Sequence, residues 1–361
     1  MADVQSTGAK SRMAAVVLAA GKGTRMKSRL PKILHPVAGR SMVDWVLLSL
    51  QRAEIRQTCL VVGTQHQAFS EILADRPDIV VAVQHSQAGT GDAVASAAAA
   101  FAGAVVPSYS KGELVRGEPL DATHILVCTA DTPALDPATL RRFVDESLKA
   151  GSDLAVLAMD VPDPTGYGRV IQDGAGRVRI VEHRDASESE RSVTLSNTGI
   201  IFARRDVLFT VLAELKPNNS QKEYYLTDCF ALGAARGLKT GVVVATEWQQ
   251  FAGVNDRLQM ADVEAKLVAR RLAKFMQDGV TIRLPNTVFA DDTVCVAPDT
   301  VIEPGVVLLG QTVVGTGCRI EAGARLLNAR VADGAVIGAG SILGAVEVSP
   351  GQRILPLTVM E

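Results

Sequence analysis

The sequence predicts an α/β domain with a largely parallel sheet, joined by a long helix to a short parallel β-helix. Two patterns carry that expectation. From residue 13 to about 160, short apolar runs alternate with amphipathic stretches, and from Val296 to Leu343 an aliphatic residue recurs every six positions with a single five-residue step. The first pattern implies right-handed crossovers with helices on both faces of a sheet. The second is the mark of coils stacked along one axis.

The elements follow in order. "AAVVLAA" is a buried strand, "SMVDWVLLSLQRA" a helix capped by Ser41 with Val43, Val46, Leu47 and Leu50 on one face, and "CLVVG" the next strand. "IVVAVQ", "GDAVASAAAAFA", "HILVCTAD", "PATLRRFVDESLKA" and "DLAVLAMDV" continue the alternation. Between Phe101 and His124 no period is visible, and the stretch, with two prolines and three glycines, reads as a surface loop. From Asp256 to Gln277 the chain has no Gly or Pro and ends before Gly279, which reads as a long linker helix with Leu258, Ala261, Ala265, Leu272 and Phe275 roughly on one face.

Behind it, Val296, Ile302, Leu308, Val314, Ile320 and Leu326 are followed by Val331, Ile337 and Leu343, with Gly305, Gly317, Gly323, Gly334 and Gly340 three residues after an aliphatic position. Three such repeats close one triangular coil, so nine positions supply about three. The expected division is 1–255 for the α/β domain, 256–279 for the linker helix and 280–361 for the coils.

Composition narrows the function classes. The 361 residues are 47% hydrophobic and 21% charged, and 37 basic against 39 acidic side chains leave a net charge of -2. That balance speaks against a nucleic-acid or membrane-surface partner. Cys59, Cys128, Cys229, Cys295 and Cys318 are scattered without CxxC spacing, which fits buried reduced thiols rather than disulfides or a zinc site. The first apolar run is too short for a signal peptide or a span, so a cytoplasmic location is expected.

Chemistry concentrates in "LAAGKGTRMKSRLPKIL", residues 18 to 34. A glycine turn after a strand lets backbone N–H groups approach a phosphate, and Arg25, Lys27 and Lys32 offer charge to neutralise it. The segment is neither a Walker loop nor a dinucleotide fingerprint, since GxxxxGK[ST] is absent and Met26 stands where GxGxxG requires its third glycine. A GxG turn alone is weak, because many α/β sheets use one only to reverse direction.

Further motifs follow in order: "QHSQAGTGDA" (84 to 93), "TADTPAL" (129 to 135), "DPTGYGR" (163 to 169), "VEHRDA" (181 to 186), "NTGI" (197 to 200), "EYYLTD" (223 to 228) and "GVNDR" (253 to 257). With "LAAGKGTRM" and "LPK", this set resembles the sugar-nucleotide pyrophosphorylases, and within them the bacterial N-acetylglucosamine-1-phosphate uridyltransferases. The resemblance covers residues 14 to about 280 and, in architecture, the repeat behind them. It implies an α/β fold: a Rossmann-like nucleotidyltransferase (GT-A-like) mixed sheet with helices on both faces, then a short left-handed parallel β-helix.

The resemblance also implies roles. Leu18, Ala19, Ala20 and Gly21 match the backbone that holds the nucleotide, and Arg25 and Lys32 the residues that grip the triphosphate and sugar phosphate during catalysis. Gln84, Gly89 and Thr90 match contacts to uracil. Thr129, Ala130 and Asp131 follow, with Asp131 and Asn255 matching the ligands of Mg²⁺. Gly168, Glu182, Asn197, Tyr225 and Thr227 match the sugar site. Each of these has a plainer reading, Glu182 as a surface charge, Asn197 as a turn cap and the tyrosines as core.

The implied reaction is Mg²⁺-dependent uridylyl transfer from UTP to N-acetylglucosamine-1-phosphate, giving UDP-N-acetylglucosamine, a cell-envelope precursor, and pyrophosphate. Another sugar-1-phosphate, a thymidylyl donor, or a non-catalytic paralogue that binds nucleotide sugar are the alternatives. Coils of this type pack side by side as homotrimers in the family. Departures are Thr129 and Ala130, where the family commonly has tyrosine and glycine, and Asp92, where close relatives tend to carry histidine. Ala130 is expected still to offer its backbone N–H. The later coils of the bifunctional enzymes, which carry an acetyltransferase, have no counterpart here, so that activity is not expected.

Overall fold

A computed structural model describes residues 12–361 except positions 65, 75, 77, 104–105 and 111–112. The described residues form two compact units, one within 12–34 and 42–253, the other within 35–41 and 254–361. No helix among the described residues is long and apolar enough to cross a membrane.

In the first unit the strand Met13–Ala19 runs parallel to Gln57–Val62 on one side and His124–Thr129 on the other, and Gln57–Val62 runs parallel to Ile79–Val83. Its alternate residues enter opposite cores: Ala15, Val17 and Ala19 pack with the helices Met42–Arg52 and Pro137–Ala150, Ala14 and Val16 with Thr90–Ser96 and Arg205–Leu212. Burial on both faces is why this segment is an apolar run without alternation. Asp136 caps the helix Pro137–Ala150 by accepting from the Thr139 N–H at 3.0 Å.

The sheet turns mixed beyond His124–Thr129. Leu195–Arg204 inserts beside it, antiparallel both to it and to Leu154–Asp160, with a register shift between Asn197 and Ile200. Thr240–Ala245 then pairs in parallel with Leu154–Asp160. The aperiodic stretch after Phe101, expected to be a loop, contains an antiparallel hairpin, Val106–Ser110 with Glu113–Gly117, on the edge of the sheet. Pro107 within its first strand, a residue that lacks the N–H a ladder uses, disguises it. Ser108 fixes the hairpin by donating its hydroxyl to the Ile79 carbonyl at 2.8 Å.

The second unit is built on the helix Arg257–Gln277, capped by Asp256, which accepts from the Gln259 N–H at 2.9 Å. Its buried stripe is Val263, Leu267, Val268, Leu272 and Phe275. Leu258, Ala261 and Ala265, expected on that face, are exposed. The two alanines lose the face because burial rewards apolar area and alanine offers little, and Leu258 sits in the first turn, ahead of the stripe.

Three parallel ladders of short strands then form the left-handed β-helix, one starting at Thr281–Ile282, one at Phe289–Ala290 and one at Cys295–Val296. The coil runs through Val359–Met360, so it is longer than the repeat from Val296 to Leu343 suggests. Ile302, Leu308, Val314, Ile320, Leu326, Val331, Ile337, Leu343, Val348 and Ile354 all point inward and are buried. Gly305, Gly317, Gly323, Gly334 and Gly340 turn the corners at φ between 64° and 75°.

Gly338 is required for a different reason. A Cβ there would meet backbone of the next coil, at Pro356 N and at Leu355 C 2.6 Å away. Backbone on both sides cannot yield, so Gly338→Ala is expected to destabilise the coils by about 1–3 kcal/mol. Calorimetry should show the drop in Tm. An unchanged Tm would mean that the coils tolerate wider stacking.

Candidate active site

A cleft of about 460 Å³ opens over the carboxyl ends of the parallel strands of the first unit, where ligands of open α/β sheets gather. Of the residues anticipated from sequence, Leu18, Ala19, Ala20, Gly21, Lys32, Gln84, Gly89, Thr90, Thr129 and Asp131 line it. Lys22, Ile33, Gln87, Ala93 and Glu223 line it as well and were not anticipated.

The two glycines of the opening loop do different work. A Cβ on Gly21 would meet nothing within 4 Å, so this residue leaves the backbone open to a ligand. Gly23 has φ +58°, and a Cβ there would lie 2.5 Å from the Lys32 Cβ. Its smallness lets Lys32 fold back across the loop into the cleft. Buried Met26 anchors the 3-10 turn Thr24–Met26. Arg25 lies exposed in that turn and does not line the cleft.

Lys32 Nζ donates to Asp131 Oδ2 at 2.6 Å, with side chains only 12% and 22% exposed. The Asp131 carboxylate follows the strand His124–Thr129, whose end is fixed when the Ala130 N–H donates to the Leu18 carbonyl at 3.0 Å. That bond corrects one expectation. Ala130 is wholly buried and its N–H is committed to the sheet, so it has none to offer a substrate.

On the opposite wall, Gln84 is 4% exposed and donates through Nε2 to Asp92 Oδ2 at 2.6 Å and to the Gly89 carbonyl at 3.0 Å. Asp92 also accepts from Ser86 Oγ at 2.7 Å and the Ala88 N–H at 3.1 Å. Burial opposes its charge, yet the three donors from Gln84, Ser86 and Ala88 hold its carboxyl below the usual range. Gln87 Nε2 ties this turn to the loop after the first strand by donating to the Ala20 carbonyl at 3.0 Å. Gly89 has φ +114° and faces the Tyr224 carbonyl, where a Cβ would sit 2.6 Å away. Thr90 Oγ1 accepts from the Leu226 N–H at 3.0 Å, joining "GTGD" to "EYYLTD".

The residues anticipated around the sugar form a second cluster. Asn197 N–H donates to the Gly168 carbonyl at 2.8 Å, Thr227 Oγ1 donates to Glu182 Oε1 at 3.0 Å, and a Cβ on Gly168 would stand 3.4 Å from both Glu182 oxygens. Tyr225 is 7% exposed, with its hydroxyl accepting from Gln221 Nε2 at 2.7 Å. Asn197 Oδ1 accepts from the Gly199 N–H at 2.9 Å, the turn cap that its plainer reading foresaw. Burial pushes the Glu182 carboxyl upward, Asp228 and Asp185 add to the rise, and the Thr227 hydroxyl partly offsets it.

Arg169 was not anticipated. It is 1% exposed, and its guanidinium donates to the carbonyls of Tyr167 and Arg191 and to His183 Nδ1. It pins "GYGR" to "VEHRDA" and thereby sets where Glu182 stands. The only sequence signal was the last letter of the GYGR motif.

Asn255 belongs to the second unit, where its N–H donates to Gln259 Oε1 at 2.7 Å. Among the described residues there is no group of three or more His, Cys, Asp or Glu that would cage a metal ion. One carboxylate at the cleft, Asp131, does suit Mg²⁺, which takes few protein oxygens and completes its shell with phosphate and water.

The model of the MobA-like NTP transferase domain matches residues 15–194. Bifunctional protein GlmU of Pelobacter propionicus is 39% identical over 356 residues, covering 96% of this chain and 74% of the relative. The same-named protein of Thermobifida fusca is 40% identical, covering 91% of this chain and 66% of the relative. A solved Bacillus anthracis structure, assigned as a glucose-1-phosphate thymidylyltransferase and in complex with a sucrose, superimposes with a TM-score of 0.55 over 70% of this chain and 94% of that one. At 19% identity that likeness speaks for the fold alone. With a nucleotide-type cleft over the sheet and relatives matched along almost its whole length, the chain belongs to the GlmU family of sugar-phosphate nucleotidyltransferases.

Proposed function

We propose that the chain transfers a uridylyl group from UTP to N-acetylglucosamine-1-phosphate, with Mg²⁺, releasing pyrophosphate. The observation that carries this reading is the ion pair of Lys32 and Asp131, with the open Gly21 backbone on one side and the Gln84 turn on the other. A phosphate oxygen of the sugar-1-phosphate attacks the α-phosphorus of UTP. The bond from that phosphorus to the bridging oxygen breaks, and pyrophosphate leaves with the electron pair.

No protein nucleophile is needed, so catalysis is positioning and charge neutralisation. Lys32 balances phosphate charge from within the cleft and Arg25 from the exposed turn beside it, the backbone at Gly21 approaches the phosphates, and Gln84 meets the base. Asp131 would hold Mg²⁺, which would supply Lewis-acid neutralisation of the phosphates. Glu182, Asn197 and Thr227 meet the sugar, whose acetamido and hydroxyl groups call for both acceptors and donors.

The test is pyrophosphate release from UTP with N-acetylglucosamine-1-phosphate beside glucose-1-phosphate, with and without Mg²⁺. Turnover that needs the acetylated sugar and the cation is the expected result. Turnover only with glucose-1-phosphate would keep the reaction and replace the acceptor, and silence with every pair would leave a binding module.

A further inference from the structure

We propose that Asp92 selects the base, by holding the Gln84 amide so that Gln84 offers the ligand only its carbonyl oxygen. The inference rests on the reading that the cleft takes a nucleoside triphosphate. It assigns to this chain a positioning residue outside the set anticipated from sequence.

The geometry fixes which way the amide points. Gln84 Nε2 lies 2.6 Å from Asp92 Oδ2 and 3.0 Å from the Gly89 carbonyl oxygen. Both neighbours are acceptors without a proton, a carboxylate and a peptide carbonyl. Turning the amide over would bring its oxygen against two other oxygens, so this orientation follows from the chemistry of the partners. Both amide protons are then committed inward. The remaining oxygen has no partner among the described residues, and Gln84 lines the cleft.

An acceptor in a largely buried place demands a donor from the ligand. Uracil and thymine present an imide N–H at N3, whereas N3 of cytosine carries no proton and is itself an acceptor. Cytosine would therefore set two acceptors against each other, and a buried polar site rejects such a ligand far more strongly than a missing methylene would. Asp92 is suited to this work because the hydroxyl of Ser86 and the N–H of Ala88 hold its Oδ2 in place. One carboxylate oxygen thus closes the turn and orients the side chain that reads the base. The low carboxyl range caused by those donors keeps it ionised at neutral pH.

The experiment measures UTP, dTTP and CTP with the full chain and with Asp92→Ala and Asp92→Asn, by calorimetric binding and by steady-state pyrophosphate release. The wild-type chain is expected to prefer UTP to CTP by about three orders of magnitude or more. In Asp92→Ala only the Gly89 carbonyl still opposes a turned amide, so the preference should fall at least about tenfold, through Kd and KM of the nucleotide, while KM of the sugar phosphate stays. Asp92→Asn should restore most of it, since its amide oxygen can accept from Gln84 as Oδ2 does. Circular dichroism checks the fold, and Asp92→Ser is measured in the same way if the alanine variant does not fold.

A UTP to CTP ratio unchanged in Asp92→Ala, with only kcat lowered, would overturn the inference and leave uridylyl transfer standing. A wild-type preference for CTP would overturn it directly. A preference for dTTP over UTP would refute the uridine reading yet support the inference, because thymine carries the same imide edge.

Discussion

Asp131→Asn is expected to lower kcat/KM for pyrophosphate release by about 10²–10³-fold while moving Tm by no more than a few degrees. Asparagine keeps the shape of the side chain and an oxygen for Lys32 Nζ, now 2.6 Å from Asp131 Oδ2, so packing survives. What is lost is the charge that balances the Lys32 ammonium and that a divalent cation would need. Removing one preorganised electrostatic group from such a site typically has an effect of this size. Lys32→Ala should be impaired to a similar degree. Because the two act as a unit, the double variant should be little worse than the poorer single one. A Mg²⁺ titration separates their roles: the half-maximal concentration should rise in Asp131→Asn and stay in Lys32→Ala. If neither moves, Asp131 serves only to position Lys32.

What the chain reveals before folding depends on how local the cause is. The coils are legible because each aliphatic residue meets its own neighbour one turn on, so a six-residue spacing survives in the sequence from Val296 to Leu343. The first turn hides because Ile282 and Ala290 are eight residues apart, with the 3-10 turn Pro285–Thr287 between them. The strand Leu195–Arg204 is an insertion between two strands that precede it in the chain, and no local pattern announces such a partner. In the cleft, glycines and lysine near the first strand are visible as a motif. The fate of the Ala130 N–H and the hub at Asp92 are not, since both depend on bonds to atoms whose positions the motif does not encode. The misassigned face of Arg257–Gln277 has a simpler origin: Val263 and Leu267 compete with Leu258 for the same burial, and only packing decides.

Glu182→Gln is expected to make the protein more stable at neutral pH and worse at its reaction. Burial, with Asp228 and Asp185 nearby, raises the Glu182 carboxyl in the folded chain, against the smaller effect of the Thr227 hydroxyl. A raised folded value means that the fold favours the protonated form. That stabilising contribution is full below the ordinary glutamate range and is lost as pH rises through the raised value. The charged form sits buried among other carboxylates, a penalty that the uncharged amide removes. Tm of Glu182→Gln should therefore exceed that of the wild-type chain at pH 7, and the difference should shrink toward about pH 4, where glutamate is largely protonated anyway. The amide oxygen still accepts from Thr227, now 3.0 Å from Oε1, so the local turn persists. The sugar contact weakens, because a hydrogen bond to a charged acceptor is worth more than one to an amide, and KM of the sugar phosphate should rise about tenfold to a hundredfold. In the wild-type chain the same KM should rise as pH falls through the raised value of Glu182, a dependence that Glu182→Gln should lack. A variant that gained no stability, or whose KM kept the wild-type pH profile, would place the strain and the sugar contact elsewhere.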